Sequence, residues 1–190
     1  MADDYLCHLQ SESVERDAVL KTLDADEVKT MIFAVPSDLT EDLERELRRL
    51  ESGEDSLPSN VCLFEGAAGD SNGSVRIMFQ WAMPESSKGA GRALRNANRY
   101  EVNGLPAEAS EGDAKLSFSC VMPGELHDAS RQARLVGWVS LTGGPRRGPR
   151  EGWDIRYVTL SYLMAQKAVD ALGCENKPLK GDPVVKPVKG

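Results

Sequence analysis

The hydrophobic pattern of this 190-residue chain changes period near residue 60, and that change limits the fold more than any other feature. Before it, Leu39, Leu43, Leu47 and Leu50 recur at helical steps and make one leucine stripe. Pro36 with Ser37 or Asp38 marks the start of that helix. Asp38, Glu41 and Asp42 load its first turn with acid, Arg48 and Arg49 load its last with base, and Gly53 marks its stop. Residues 11–34 also read as helix, in one or two pieces. Ser11 and Ser13 offer a cap before Val14, Ala18 and Val19, while Asp24 and Glu27 offer a second before Val28, Met31 and Ile32.

Past Pro58 the periodicity becomes strand-like, with runs at 61–64, 75–81, 115–121 and 135–141, a short one at 100–102, and glycine-rich turns between them. Val75-Arg76-Ile77-Met78-Phe79 and Leu116-Ser117-Phe118-Ser119-Cys120-Val121 alternate, as strands with one solvated face do. An antiparallel sheet is therefore expected rather than a parallel one. Residues 66–73 have the composition of a hairpin connection. After Trp153, the residues Leu160, Leu163, Met164, Ala168, Ala171 and Leu172 share one helix face, and Gly173 ends it. Residues 175–190 carry Pro178, Pro183 and Pro187 among lysines and are expected to run extended as a tail, ordered only if a partner or neighbouring subunit holds it. The predicted class is α+β. An acidic helical region (1–60) joins a mixed sheet and helix core (61–174) in one domain, mainly antiparallel sheet with a C-terminal helix, and the extended tail follows.

Charge divides along the same boundary. Residues 1–60 hold sixteen Asp and Glu against six Lys and Arg, whereas residues 61–190 hold fourteen against seventeen. Such asymmetry points to a charged partner or to another copy of the chain. No apolar run approaches the ~20 residues that cross a bilayer. The acidic start, Met1-Ala2-Asp3-Asp4, lacks the regions of a secretory signal, so a cytoplasmic place is expected, or a virion if the chain is viral. Cys7, Cys62, Cys120 and Cys174 show no paired spacing and are expected as reduced thiols.

Two basic segments are the candidate anion or nucleic-acid contacts. Lys88, Arg92, Arg95 and Arg99 would line one face of a helix over 89–99, with Gly89 and Gly91 letting an anion approach its start. Gly89-Ala90-Gly91 imitates a dinucleotide fingerprint, but Leu94 stands where its third glycine belongs and no βαβ rhythm follows, so no nucleotide cofactor is expected. The second segment, Arg146, Arg147 and Arg150, lies in a Gly/Pro-rich stretch and is expected on an exposed loop. Trp153 beside it is expected to pack rather than to stack on a base. The leucine stripe Leu39, Leu43, Leu47 and Leu50 has two uses, packing on the chain's own sheet or docking on a second copy.

His8 and His127 are the only histidines and make no metal ligand set; Cys120 with His127 is the one pair from which a small enzyme's site is conceivable. No cofactor or metal is expected. The leading expectation is a non-enzymatic structural or interaction protein that self-associates and contacts an anionic partner. Viral coat, matrix and movement proteins share that profile at the level of type. The rivals are a monomeric regulatory module that binds a protein, and the Cys120/His127 enzyme.

Overall fold

The computed structural model describes residues 6–32, 35–67, 73–86, 88–143 and 149–188. Its elements run α1 (Val14–Leu23), β1 (Val28–Ile32), α2 (Pro36–Glu51), β2 (Ser59–Gly66), β3 (Ser74–Ala82), β4 (Asn98–Val102), β5 (Leu105–Ala109), β6 (Asp113–Phe118), α3 (His127–Gln132), β7 (Arg134–Thr142), α4 (Arg150–Leu172) and β8 (Val185–Pro187). All eight strands form one antiparallel sheet in the order β1-β2-β3-β7-β6-β5-β4-β8. The α+β class with a mainly antiparallel sheet is thus the observed one.

The helices cover one face of this sheet. Alternation on β3 sends Val75, Ile77, Phe79 and Trp81 into the core, and the Trp81 indole donates to the Leu43 carbonyl of α2 at 2.9 Å. Across the middle of the sheet, Gly137 lets α4 sit close: a Cβ there would stand 3.2 Å from Phe79 and 3.7 Å from the Ala165 Cβ. Ser161 uses that proximity to donate to the Gly137 carbonyl at 3.1 Å. α1 and α2 flank α4, so α4 is buried on nearly every side and its apolar residues spread beyond one stripe. Leu39, Leu43 and Leu47 of α2 are at most 1% exposed and Leu50 packs against the same core. The stripe proposed for self-association is therefore consumed inside the fold.

Three local expectations are corrected. The second helical piece in 11–34 is the strand β1. Asp24 is not a helix start but the left-handed C-cap of α1 (φ 50°), and Val28, Thr30 and Ile32 then alternate in register with β2. The helix over 89–99 does not form. Gly89–Gly91 makes a single 3-10 turn, Asn96 takes a positive φ of 54°, and β4 begins at Asn98. A Cβ on Gly91 would meet the Ser86 carbonyl oxygen at 2.3 Å, so this turn accepts only glycine in its present seat. Third, the tail is held by its own chain. The Tyr162 hydroxyl donates to the Lys180 carbonyl at 2.9 Å, Asn103 accepts from the Val184 N–H at 2.9 Å, and β8 pairs with β4.

The cysteines are not reduced thiols. Cys7–Cys62 and Cys120–Cys174 are disulfides with Cα separations of 5.5 and 5.2 Å. Each joins residues more than fifty positions apart, where sequence spacing carries no signal. The first ties the segment before α1 to β2, and the second ties the segment after β6 to the end of α4. Beside the second, the Asn176 side chain accepts from the Val121 N–H and donates to the Ser119 carbonyl, at 2.9 and 2.8 Å. Among the described residues no helix is long and apolar enough to cross a membrane.

Candidate functional site

Because helices occupy one face, the outward positions of the strands make up the other. Strand alternation places Arg76 and Met78 of β3, Arg134, Val136 and Trp138 of β7, Asp113, Lys115 and Ser117 of β6, Glu108 of β5, and Arg99 and Glu101 of β4 on that helix-free face. The cross-strand register aligns Met78, Trp138, Lys115, Glu108 and Arg99 in one row.

The connection from β3 to β4 crosses this face as a strap, residues 88–97. Lys115 fastens it. Its ammonium group, on a residue 5% exposed, donates to the carbonyls of Ala90 at 3.3 Å and Arg92 at 2.5 Å. The same group stands 4.4 Å from the centre of the Trp138 ring and 3.9 Å from a Glu108 carboxylate oxygen. Glu108 accepts from the Leu94 N–H at 3.0 Å, and Ala90 packs on Ala82 and Val136. Burial holds the Lys115 ammonium below the ordinary lysine range, opposed by attraction to Glu108 and Asp113 and helped by repulsion from Arg92. A hollow of about 500 Å³ lies on one side of the strap, over Val136, Ser117 and Pro106, with Arg99 and Arg134 among its lining residues. A second, of about 450 Å³, lies on the other side between Trp138, Asp113, Arg92 and Arg95.

The helix layer carries both paired and unpaired cations, since Arg16, Arg131, Arg156 and Lys167 make no ion pair within 4.0 Å among the described residues while others do. In the helix layer, Lys21 pairs with Asp17 at 2.6 Å, Arg45 with Asp42 at 2.5 Å, Arg48 with Glu125 at 3.7 Å and Arg49 with Glu54 at 3.1 Å. On the helix-free face Arg76, Arg99 and Arg134, and on the strap Lys88, Arg92 and Arg95, are exposed and make no ion pair within 4.0 Å among the described residues. The acidic N-terminal region of the sequence becomes much of the helix layer, and the helix-free face with its strap carries six exposed cations without an ion pair among the described residues.

Of the predicted site residues, Arg92 and Arg95 line one hollow beside the strap, Arg99 lines the other, and Lys88 stands at the start of the strap, so the four do not form a helix face. Arg150 does not join them on a displayed loop. It begins α4, where it donates to the Asn96 carbonyl and stands 3.7 Å from Asp154. Arg146 and Arg147 lie outside the described residues. Trp153 is 6% exposed and packs 6.3 Å from Tyr157, with the Arg156 guanidinium 4.7 Å over its ring.

Arg76, Lys115, Glu108, Arg134 and Trp138 were not singled out from the sequence. The alternation that predicted the strands also marks their outward positions, so the signal for Arg76 and Lys115 was present.

The Cys120/His127 pair is not a catalytic pair, since the Cys120 sulfur is bonded to Cys174. His127 instead lies 3.2 Å from Asp128 and 3.6 Å from Glu175 at the surface. Asp154 is the most deeply buried carboxylate among the described residues, 1% exposed, and it accepts from Asn98 at 2.8 Å and the Tyr100 hydroxyl at 3.0 Å. This ties α4 to β4. Burial, then the bond to Asp154, pushes the Tyr100 phenol up to about 12. Among the described residues no group of three or more His, Cys, Asp and Glu is placed to hold a metal ion. No protein-family model, curated protein or solved structure matches this chain.

Proposed function

We propose that this chain is a non-enzymatic interaction protein that binds a nucleic acid strand on its helix-free face. The observation that carries the reading is the set of exposed arginines on that face and its strap. Arg76, Arg92, Arg95, Arg99 and Arg134 stand there without an ion partner among the described residues. A guanidinium is shaped for phosphate oxygens and is costly to leave facing like charges. From β3 to β4 the face is four strand spacings wide, roughly 19 Å at ~4.8 Å each, so several phosphates of one strand are within reach.

The two disulfides support a working place in oxidising surroundings, in place of the cytoplasm expected from the acidic start of the chain. Self-association is assigned to the edge strand β1, which pairs only with β2 among the described residues.

The test is fluorescence anisotropy of a labelled twelve-nucleotide RNA against salt. Six engaged cations give a slope of log K on log salt of about −4. Arg92→Glu with Arg95→Glu and Arg99→Glu should flatten the slope and weaken binding at least ten-fold. Absence of binding to RNA, DNA and heparin at low salt overturns the reading; binding to heparin alone moves the partner to an acidic protein or polysaccharide and equally overturns the nucleic-acid assignment.

A further inference from the structure

The two hollows beside the strap bear on which form of nucleic acid the face would take, and this inference rests on the reading just given. Each hollow lies within the size range of small-molecule sites. Each combines an apolar or aromatic surface with cations at its margin: the exposed Met83 and Pro106 with Arg99 and Arg134 in one, the half-buried Trp138 with Arg92 and Arg95 in the other. Polar groups that can meet a base edge are present in both, the Ser117 hydroxyl and the Glu108 carboxylate in the first and Asp113 in the second. Lys115 lines both and holds the strap between them.

A duplex presents a convex cylinder of phosphates with its bases stacked inside, so it can touch the rim arginines but cannot fill either hollow unless a base is unstacked at a cost. A single strand has bases free to turn inward. We infer that the hollows receive unstacked bases of a single-stranded nucleic acid while the flanking arginines hold its phosphates, so that the face selects single strand over duplex.

Stacking of one base on a side-chain platform favours the single strand by roughly ten-fold. The experiment competes a twelve-nucleotide single-stranded DNA against a duplex of matched phosphate count, with heparin as a probe of charge alone. Wild-type protein should prefer the single strand by about ten-fold or more. Ala93→Leu places a branched aliphatic side chain, with no ring to stack on, where an exposed alanine lines both hollows, and should reduce the preference to below about two-fold. Ser117→Leu, which fills the floor of the first hollow without adding a ring, should lower the preference by less than Ala93→Leu does, since the Trp138 hollow remains open. Equal affinity of the wild type for single strand and duplex, with heparin still bound, overturns this inference and leaves the basic-face reading standing. A preference that survives both substitutions also overturns it. Failure to bind heparin or either DNA overturns the reading beneath it.

Discussion

Reducing the two disulfides should destabilise the protein by a large share of its total stability. Cys7–Cys62 and Cys120–Cys174 close loops with sequence separations of 55 and 54, and those loops do not overlap. In the chain-entropy model, a loop of that length restricts the unfolded ensemble by about 4 kcal/mol, so the two together contribute about 8 kcal/mol. Domains are stable by only ~5–15 kcal/mol in total. At ~2–4 °C per kcal/mol for a chain of this size, each bond corresponds to a melting shift of roughly 8–16 °C. The assay is thermal unfolding followed by far-ultraviolet circular dichroism, with and without a phosphine reductant, beside the paired substitutions Cys7→Ser/Cys62→Ser and Cys120→Ser/Cys174→Ser. Thiol titration in denaturant should find none before reduction and four after it, matching the four cysteines. Four titratable thiols in untreated protein made under oxidising conditions would refute the pairing. A melting temperature unmoved by reductant would refute the entropic argument.

Leu43→Ala should cost about 2–5 kcal/mol in denaturant unfolding, as for a fully buried leucine, while the mass in solution stays the same. A changed oligomeric state with unchanged stability would return the stripe to the surface. Gly91→Ala places a Cβ 2.3 Å from the Ser86 carbonyl oxygen, so the strap must leave its seat. Hydrogen exchange should accelerate in residues 88–97 and stay slow in β3 and β7; unaltered exchange in the strap contradicts this geometry. Tyr100→Phe removes a donor from buried Asp154 and should cost roughly 1.5–3 kcal/mol at neutral pH. The Tyr100 phenol holds its proton up to about 12, above the unfolded value of ~10, so its contribution is complete below the unfolded value and lost as pH rises through the folded one. Stability measured at pH 8 and pH 11 should therefore fall more steeply in wild type than in the variant, and parallel slopes would exclude the cause given.

The parts of the fold that were legible are those where local and tertiary preferences agree. The α2 leucines, the alternation on β3 and Gly173 as the C-cap of α4 each satisfy both, and all three appear as expected. β1 was misread because a cap at Asp24 and a helical spacing of Val28, Met31 and Ile32 compete with the β-branched alternation of Val28, Thr30 and Ile32. Pairing with β2 decides between them. β5 was missed although Asn103-Gly104, both at positive φ, is the turn that closes a two-residue hairpin. The disulfides were illegible because each joins elements brought together only by the finished sheet. The arginine group was visible as residues, but its arrangement follows from Gly89, Gly91 and Asn96 breaking the helix that spacing suggested. Lys115 reads as one more solvated strand lysine until the strap is laid over it.

The position of β7 in the sheet has a kinetic consequence. β2 with β3, and β4 with β5 and β6, are meanders of neighbouring strands that can pair as soon as they exist, yet β3 and β6 never touch each other. β7 alone joins them, matching Ser74–Ala82 of β3 on one side and Asp113–Phe118 of β6 on the other. Until it inserts, both meanders present a bare inner edge, β3 in one and β6 in the other, open to pairing with the same edge of another chain. The expected slow step in folding is this insertion, with α4 closing over it. Sequences that weaken β7 should lower the yield of refolding through aggregation before they lower the stability of molecules already folded.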